Sequence, residues 1–320
     1  MMENRMNFQT SVELPAGMPP VSHADRILLM GSCFAENIGR QLMDAGFQLD
    51  LNPFGILYNP LSVSSALREI MGHKEYTSQD LFTYKDLWHS PMHHGSFSAF
   101  TPEETLHTIN ARLHHAHQRL PELNWLMVTL GTAYVYKQKE SGQVVANCHQ
   151  LPENHFLRYR LTVEEIVEDY TALITGMAAC NPELKWLFTV SPIRHIRDGM
   201  HANQLSKAVL LLAIDKLKQR LDYVSYFPSY EIVMDELRDY RFYTEDMLHI
   251  SPQGIEYIWE KFQSLYMTSA TEAWMKRIDK INKTLLHRPA DPDSSAYQEL
   301  MKKTAQERER IERELGISFS

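Results

Sequence analysis

The chain has 320 residues, 44% of them hydrophobic and 22% charged, with a formal net charge of −8. That composition suits a globular protein with a sizeable core, and the acidic balance, with no block of Lys and Arg to override it, excludes a general affinity for nucleic acid. The three cysteines, Cys33, Cys148 and Cys180, include no CxxC pair, so they form neither a disulfide framework nor a thiolate zinc site and fit a reducing compartment.

The N-terminal stretch MMENRMNFQTSVELPAGMPP has no apolar run of signal-peptide length. AVLLLAI, at 208–214, is far shorter than the roughly 20 apolar residues a bilayer span takes. The expectation is a soluble, cytoplasmic protein with no membrane partner.

Short apolar runs follow one another along the chain: RILLM at 26–30, NWLMVTL at 124–130, KWLFTV at 185–190 and YVSYF at 223–227. Runs of this kind suit a parallel sheet covered on both faces. Helices lie between them. Asn59-Pro60 caps one and supplies its first-turn proline. TPEE (101–104) and TVEE (162–165) read as capping boxes that open helices to about Leu120 and Cys180. Residues 201–220 have helical periodicity, and SPQG (251–254) starts a helix through about Tyr266. Residues 73–100 read as short strands and loops forming a lid-like insertion. Residues 133–160 read as a hairpin turning at ESGQ, followed by a loop. The polar C-terminal part reads as helical, broken at HRPADPDSS. The division expected is an α/β domain over 1–270 and a helical extension over 271–320.

This alternation predicts an α/β layered domain whose ligands sit beyond the carboxyl ends of the strands. Ser32, Gly131-Thr132 and Ser191-Pro192 each follow a strand and should gather on that edge. In EDMLHISPQG (245–254), Asp246 and His249 stand three apart. One turn can present both, with the carboxylate fixing the imidazole tautomer and the free ring nitrogen facing a nucleophile. Ser32, Asp246 and His249 then make a Ser–His–Asp proposal.

The stretches GSCFAENIG (31–39), NPFGILYNP (52–60), LGTAYVY (130–136), NCHQLP (147–152) and DYRFYTEDMLHIS (239–251) resemble the GSCFA family. That family is similar in layout to the SGNH/GDSL hydrolases, three-layer α/β/α esterases with a flavodoxin-like parallel sheet. The resemblance implies that Ser32 is the nucleophile, that Asp246 and His249 form the final DxxH block, and that Gly55 matches the glycine block. It implies an ester substrate, a small acyl (acetyl) group on a carbohydrate or similar polar molecule; no cofactor is expected. Acyl transfer by the same residues, and a non-catalytic ligand-binding protein on the same fold, are the rival readings.

Two departures stand out. Gly31 replaces the usual Asp before the serine, and Ala133 and Tyr134 follow Thr132 where an oxyanion-hole Asn would stand. Backbone N–H groups of Ser32 and Gly55 are expected to serve the oxyanion, with Asn147, or else the Thr132 hydroxyl, as the replacement donor. His149 is a candidate substrate contact. Cys33 should point into helix–sheet packing, although a helix N-terminus lowers a thiol pKa and keeps it open as a nucleophile.

His93 and His94 read as loop polarity rather than metal ligands, because no carboxylate stands at ligand spacing. His114, His115 and His117 read as a solvated helix face. Arg194 and His195 could stand at the site edge or on a surface loop. Trp88, Phe97 and Phe100 read as lid packing before a sugar-stacking surface.

Overall fold

The computed structural model describes residues 10–317 except positions 16 and 290. The expectations for residues 1–9 lie outside the described residues. The strands are β1 (Arg26–Gly31), β2 (Gln48–Leu51), β3 (Phe82–Tyr84), β4 (Leu87–His89), β5 (Trp125–Leu130), β6 (Tyr134–Gln138), β7 (Val144–Val145), β8 (Phe156–Arg160), β9 (Lys185–Val190) and β10 (Val224–Phe227). The helices are α1 (Cys33–Asp44), α2 (Pro60–Met71), α3 (Pro102–Arg119), α4 (Val163–Cys180), α5 (Met200–Arg220), α6 (Ser229–Glu231), α7 (Pro252–Tyr266), α8 (Ser269–Leu286) and α9 (Ser295–Leu315).

β1, β2, β5, β9 and β10 form one parallel sheet in the order β10-β9-β5-β1-β2. The order in which strands are added reverses at β1, which makes the carboxyl ends of β1 and β5 the switch point where sheets of this kind place ligands. Successive side chains of a strand face opposite ways. Leu126, Val128 and Leu130 of β5 join a core with α2, α3, α4 and α5, while Trp125 and Met127 join another with α1 and α7. The result is the three-layer α/β/α sandwich expected. Ile278 and Ile281 of α8 and Ile311 of α9 form a separate small cluster.

The helix starts follow their capping chemistry. Asn59 accepts the Ser62 N–H, and Thr162 and Glu165 make a complete reciprocal box. At Thr101 only the forward half forms, from the Glu104 N–H. Thr162→Ala in such a box costs about 1 kcal/mol.

The structure adds two strands to the sequence reading. β2 has only one fully buried residue, Asp50, and QLDL lacks the apolar run that marks a buried strand. β8, expected as loop, pairs antiparallel with β6 beside the β6–β7 hairpin. The lid-like segment holds the β3–β4 hairpin. Within it Phe97 packs on the core but Phe100 is 76% exposed. His93 is not loop polarity: it is buried and stacked on Phe54 at 4.4 Å. On α3, His117 departs from the solvated face, bonding the Ile70 carbonyl and stacking on His73. No helix of the described residues is long and apolar enough to cross a membrane.

Candidate active site

Gly31 ends β1 with a φ of +139°, and a Cβ there would lie 2.1 Å from the Thr129 carbonyl oxygen. Only glycine allows that approach of β1 to β5. This gives a steric reason for the residue that stands where an Asp was the usual expectation. Ser32 comes next, in the N-cap position of α1, yet its side chain makes no capping bond. The hydroxyl is buried and has no hydrogen-bond partner among the described residues. Helix capping therefore does not explain this serine.

Cys33 points into packing, as expected, against the core shared by α1 and α7. Burial raises its thiol pKa, outweighing the help of nearby N–H groups. The helix N-terminus does not produce a ready thiolate here.

Asp246 and His249 are brought together. His249 Nδ1 lies 2.5 Å from Asp246 Oδ2, and Asp246 Oδ1 accepts from the N–H groups of His249 and Leu248 and from the Thr244 hydroxyl. These contacts, led by the His249 N–H, hold the carboxyl well below the usual range. Both side chains are near half exposed. Ser32 Oγ makes no hydrogen bond to His249 in this structure. The DxxH loop does dock on the loop after β9, where the Arg194 N–H donates to the Leu248 carbonyl at 3.3 Å.

His195, on that loop, stands at the site edge. A Cβ on Gly131 would sit 3.0 Å from His195 Nε2 and 3.4 Å from Ser32 Cβ, so the imidazole and the serine flank one glycine. Burial, then the charges of Lys207 and His249, lower the His195 pKa to about 3, so the ring is neutral.

Helix α5 holds these loops with three buried polar residues. Asn203 accepts the His195 N–H at 2.9 Å, and Ser206 accepts the Ala133 N–H at 2.7 Å. Lys207 donates to the carbonyls of Gly131 at 2.7 Å and Ser191 at 2.5 Å. Burial pushes the Lys207 ammonium down to about 7. Sequence reading missed Lys207, although its signal was legible. It falls on the buried stripe 203, 206, 207, 210, 213, 214, 217.

Of the donors expected for an oxyanion, the two backbone N–H groups are engaged elsewhere. The Ser32 N–H reaches the Thr129 carbonyl at 3.2 Å, and the Gly55 N–H the Asn52 carbonyl at 2.7 Å. Gly55, with φ +75°, makes room for His94, whose Cβ lies 2.3 Å from where a glycine Cβ would be. Thr132 Oγ1 pairs with Ser206 and accepts the Tyr134 N–H. Asn147 accepts the His149 N–H through its side-chain oxygen. His149 Nε2 is 2.8 Å from the Ser90 carbonyl oxygen, and burial lowers its pKa to about 4.

Asn52 was overlooked. It follows β2 with φ +45°, is 93% buried, and its Oδ1 accepts the Gly31 N–H at 2.9 Å. Its Nδ2 has no partner among the described residues. An Asn directly after a strand and before Pro53 is the signal the sequence carries for it.

No group of three or more His, Cys, Asp or Glu among the described residues is placed to hold a metal. A groove lies elsewhere, between α1, α7, α8 and α9, lined by Met43, Phe47, Trp259 and Ile281 among others.

A model of the GSCFA family matches residues 26–262, and one for the GSCFA domain protein C-terminal domain matches residues 278–320. No curated protein matches the chain. Among solved structures, a Bacteroides fragilis NCTC 9343 protein provisionally named an acylhydrolase aligns at 8% identity and a TM-score of 0.39, over 81% of this chain and 91% of its own. An acetyl xylan esterase from the rumen bacterium Butyrivibrio proteoclasticus aligns at 14% identity and a TM-score of 0.26, over 48% of this chain and 38% of its own.

Proposed function

The chain belongs to the GSCFA family, and on that premise we propose that it is a serine hydrolase of ester bonds acting on a small O-acyl group of a carbohydrate or similar polar molecule. The observation that carries the reading is Ser32: a buried hydroxyl at a helix N-cap, beyond the switch-point strand, that makes no capping bond and has no hydrogen-bond partner among the described residues. A buried hydroxyl left unpaired costs about 1–3 kcal/mol, and a reacting substrate gives it a use.

In this mechanism Ser32 Oγ attacks the acyl carbon while its proton passes to His249 Nε2. The carbonyl π pair moves to oxygen, giving a tetrahedral oxyanion. Collapse breaks the bond to the leaving alkoxide, which takes the proton from His249. Water then repeats the sequence on the acyl-serine and releases the acid. Asp246 orients His249 through Nδ1 and stabilises the imidazolium.

The burial of Ser32 favours one second reading, acyl transfer to a sugar hydroxyl, because access of water separates transfer from hydrolysis. A fluorophosphonate probe tests the common chemistry. Labelling at Ser32, lost in Ser32→Ala, is expected. Folded protein that stays unlabelled is a binding protein and overturns the reading.

A further inference from the structure

Of the buried side-chain atoms that have no hydrogen-bond partner among the described residues, Ser32 Oγ, Asn52 Nδ2 and His195 Nε2 stand on the loops after β1, β2 and β9. All three are therefore at the carboxyl edge of one sheet. Buried polar atoms are almost always paired, so three orphans at one edge call for an explanation. One orphan is the nucleophile of the reaction proposed above. The other two sit on groups able to donate N–H bonds, and an acceptor brought by a ligand would satisfy them.

We propose that the oxyanion hole consists of two side chains, Asn52 through Nδ2 and His195 through Nε2–H, in place of the backbone N–H groups of Ser32 and Gly55. This inference rests on the ester-hydrolase reading. Both backbone N–H groups are committed to carbonyls of the fold, at 3.2 Å and 2.7 Å. Asn52 is fixed at its other end: Oδ1 accepts the Gly31 N–H at 2.9 Å, one residue before the nucleophile, and its own N–H bonds the Leu29 carbonyl at 2.9 Å. That bond also decides which end of the amide is nitrogen, because a donor must meet oxygen.

His195 is anchored through its backbone N–H to Asn203, and its Nε2 flanks Gly131 together with Ser32. Tyr58 packs edge-on against the ring at 5.6 Å. The groups whose charges bear on it are Lys207, His249 and Arg158, all basic. They disfavour imidazolium, and a neutral ring donates one N–H without holding a carboxylate product by ion pairing. Donors preorganised in this way act on charge that develops only in the transition state, and so change kcat more than KM.

Asn52→Asp is the decisive variant. It keeps the acceptor for the Gly31 N–H, and hence the fold, but removes both donors. With an aryl acetate as substrate, Asn52→Asp and His195→Ala should each lower kcat by about 10²–10³ with little change in KM, and fluorophosphonate labelling of Ser32 should slow in parallel. His195→Gln, which retains an N–H donor, should recover part of the loss. Long-range 1H–15N spectra of the resting protein should show His195 neutral and protonated on Nε2. Wild-type kcat in both variants, with wild-type labelling of Ser32, overturns this oxyanion hole and leaves the hydrolase reading standing. A ring protonated on Nδ1 alone removes His195 from it. Wild-type protein that neither labels nor turns over ends the hydrolase reading and these donors with it.

Discussion

Asp246 Oδ2 meets His249 Nδ1 at 2.5 Å, while the same carboxylate takes three further hydrogen bonds on Oδ1. The imidazole is thereby turned so that Nε2, which has no partner among the described residues, is the nitrogen left for chemistry. Asp246→Asn should lower aryl acetate hydrolysis by about 10²–10⁴, because the amide can hold the wrong tautomer and does not stabilise imidazolium. Its depressed pKa keeps Asp246 charged through the acid range, so the acid limb of the rate profile should not come from this carboxyl. Rates from about pH 5 to pH 9 check this. Activity that Asp246→Asn leaves untouched would move the orienting role elsewhere, with Glu245 the next residue to substitute.

Ser32→Ala should abolish turnover without destabilising the fold. The lost hydroxyl is buried and has no partner among the described residues, so its removal should raise stability by about 1 kcal/mol. Cys33→Ala should do the reverse, keeping most of the activity and losing about 1 kcal/mol of packing. Denaturant melts and initial rates on the same preparations separate the two. Turnover that survives in Ser32→Ala and vanishes in Cys33→Ala would hand the nucleophile role to the thiol.

Gly31→Ala should cost about 3 kcal/mol or more, since the added carbon meets backbone oxygen at 2.1 Å and φ is +139°. Backbone on a central strand cannot step aside as a flexible side chain would. A thermal melt close to wild type would show that the β1–β5 approach is softer than described.

Lys207 should give the fold a rising stability profile in mildly alkaline solution. Its folded pKa, about 7, lies below the ordinary lysine value, so between the two the unfolded chain binds more protons. Stability therefore rises as pH climbs from about 7 to about 10.4, and the penalty of the buried charge is fully present below that window. Lys207→Met should flatten this slope relative to wild type. Equal slopes in urea melts across the window would mean that the buried lysine keeps its charge.

The apolar runs of β1, β5, β9 and β10 were legible because burial on both faces demands them, and the helix starts at Pro60, Val163 and Pro252 because capping is chemistry of adjacent residues. The pairing of Asp246 with His249 was legible from their spacing, and Cys33 as packing. Edge strand β2 and strand β8 were not: QLDL has Asp50 as its one fully buried residue, and pairing across a sheet is not a local property. The engagement of the backbone N–H groups expected to serve an oxyanion was least legible of all. Whether the N–H of Ser32 or Gly55 is free depends on which carbonyl the fold lays against it. That is settled by Thr129, 97 residues from Ser32 in the sequence, and by the turn at Asn52. Likewise the sequence placed Lys207 on a buried stripe, but only the closure of α5 over the strand ends supplied the two carbonyls that receive its ammonium. Periodicity and capping depend on neighbours in the chain, while the pairing of a buried polar atom depends on neighbours in space.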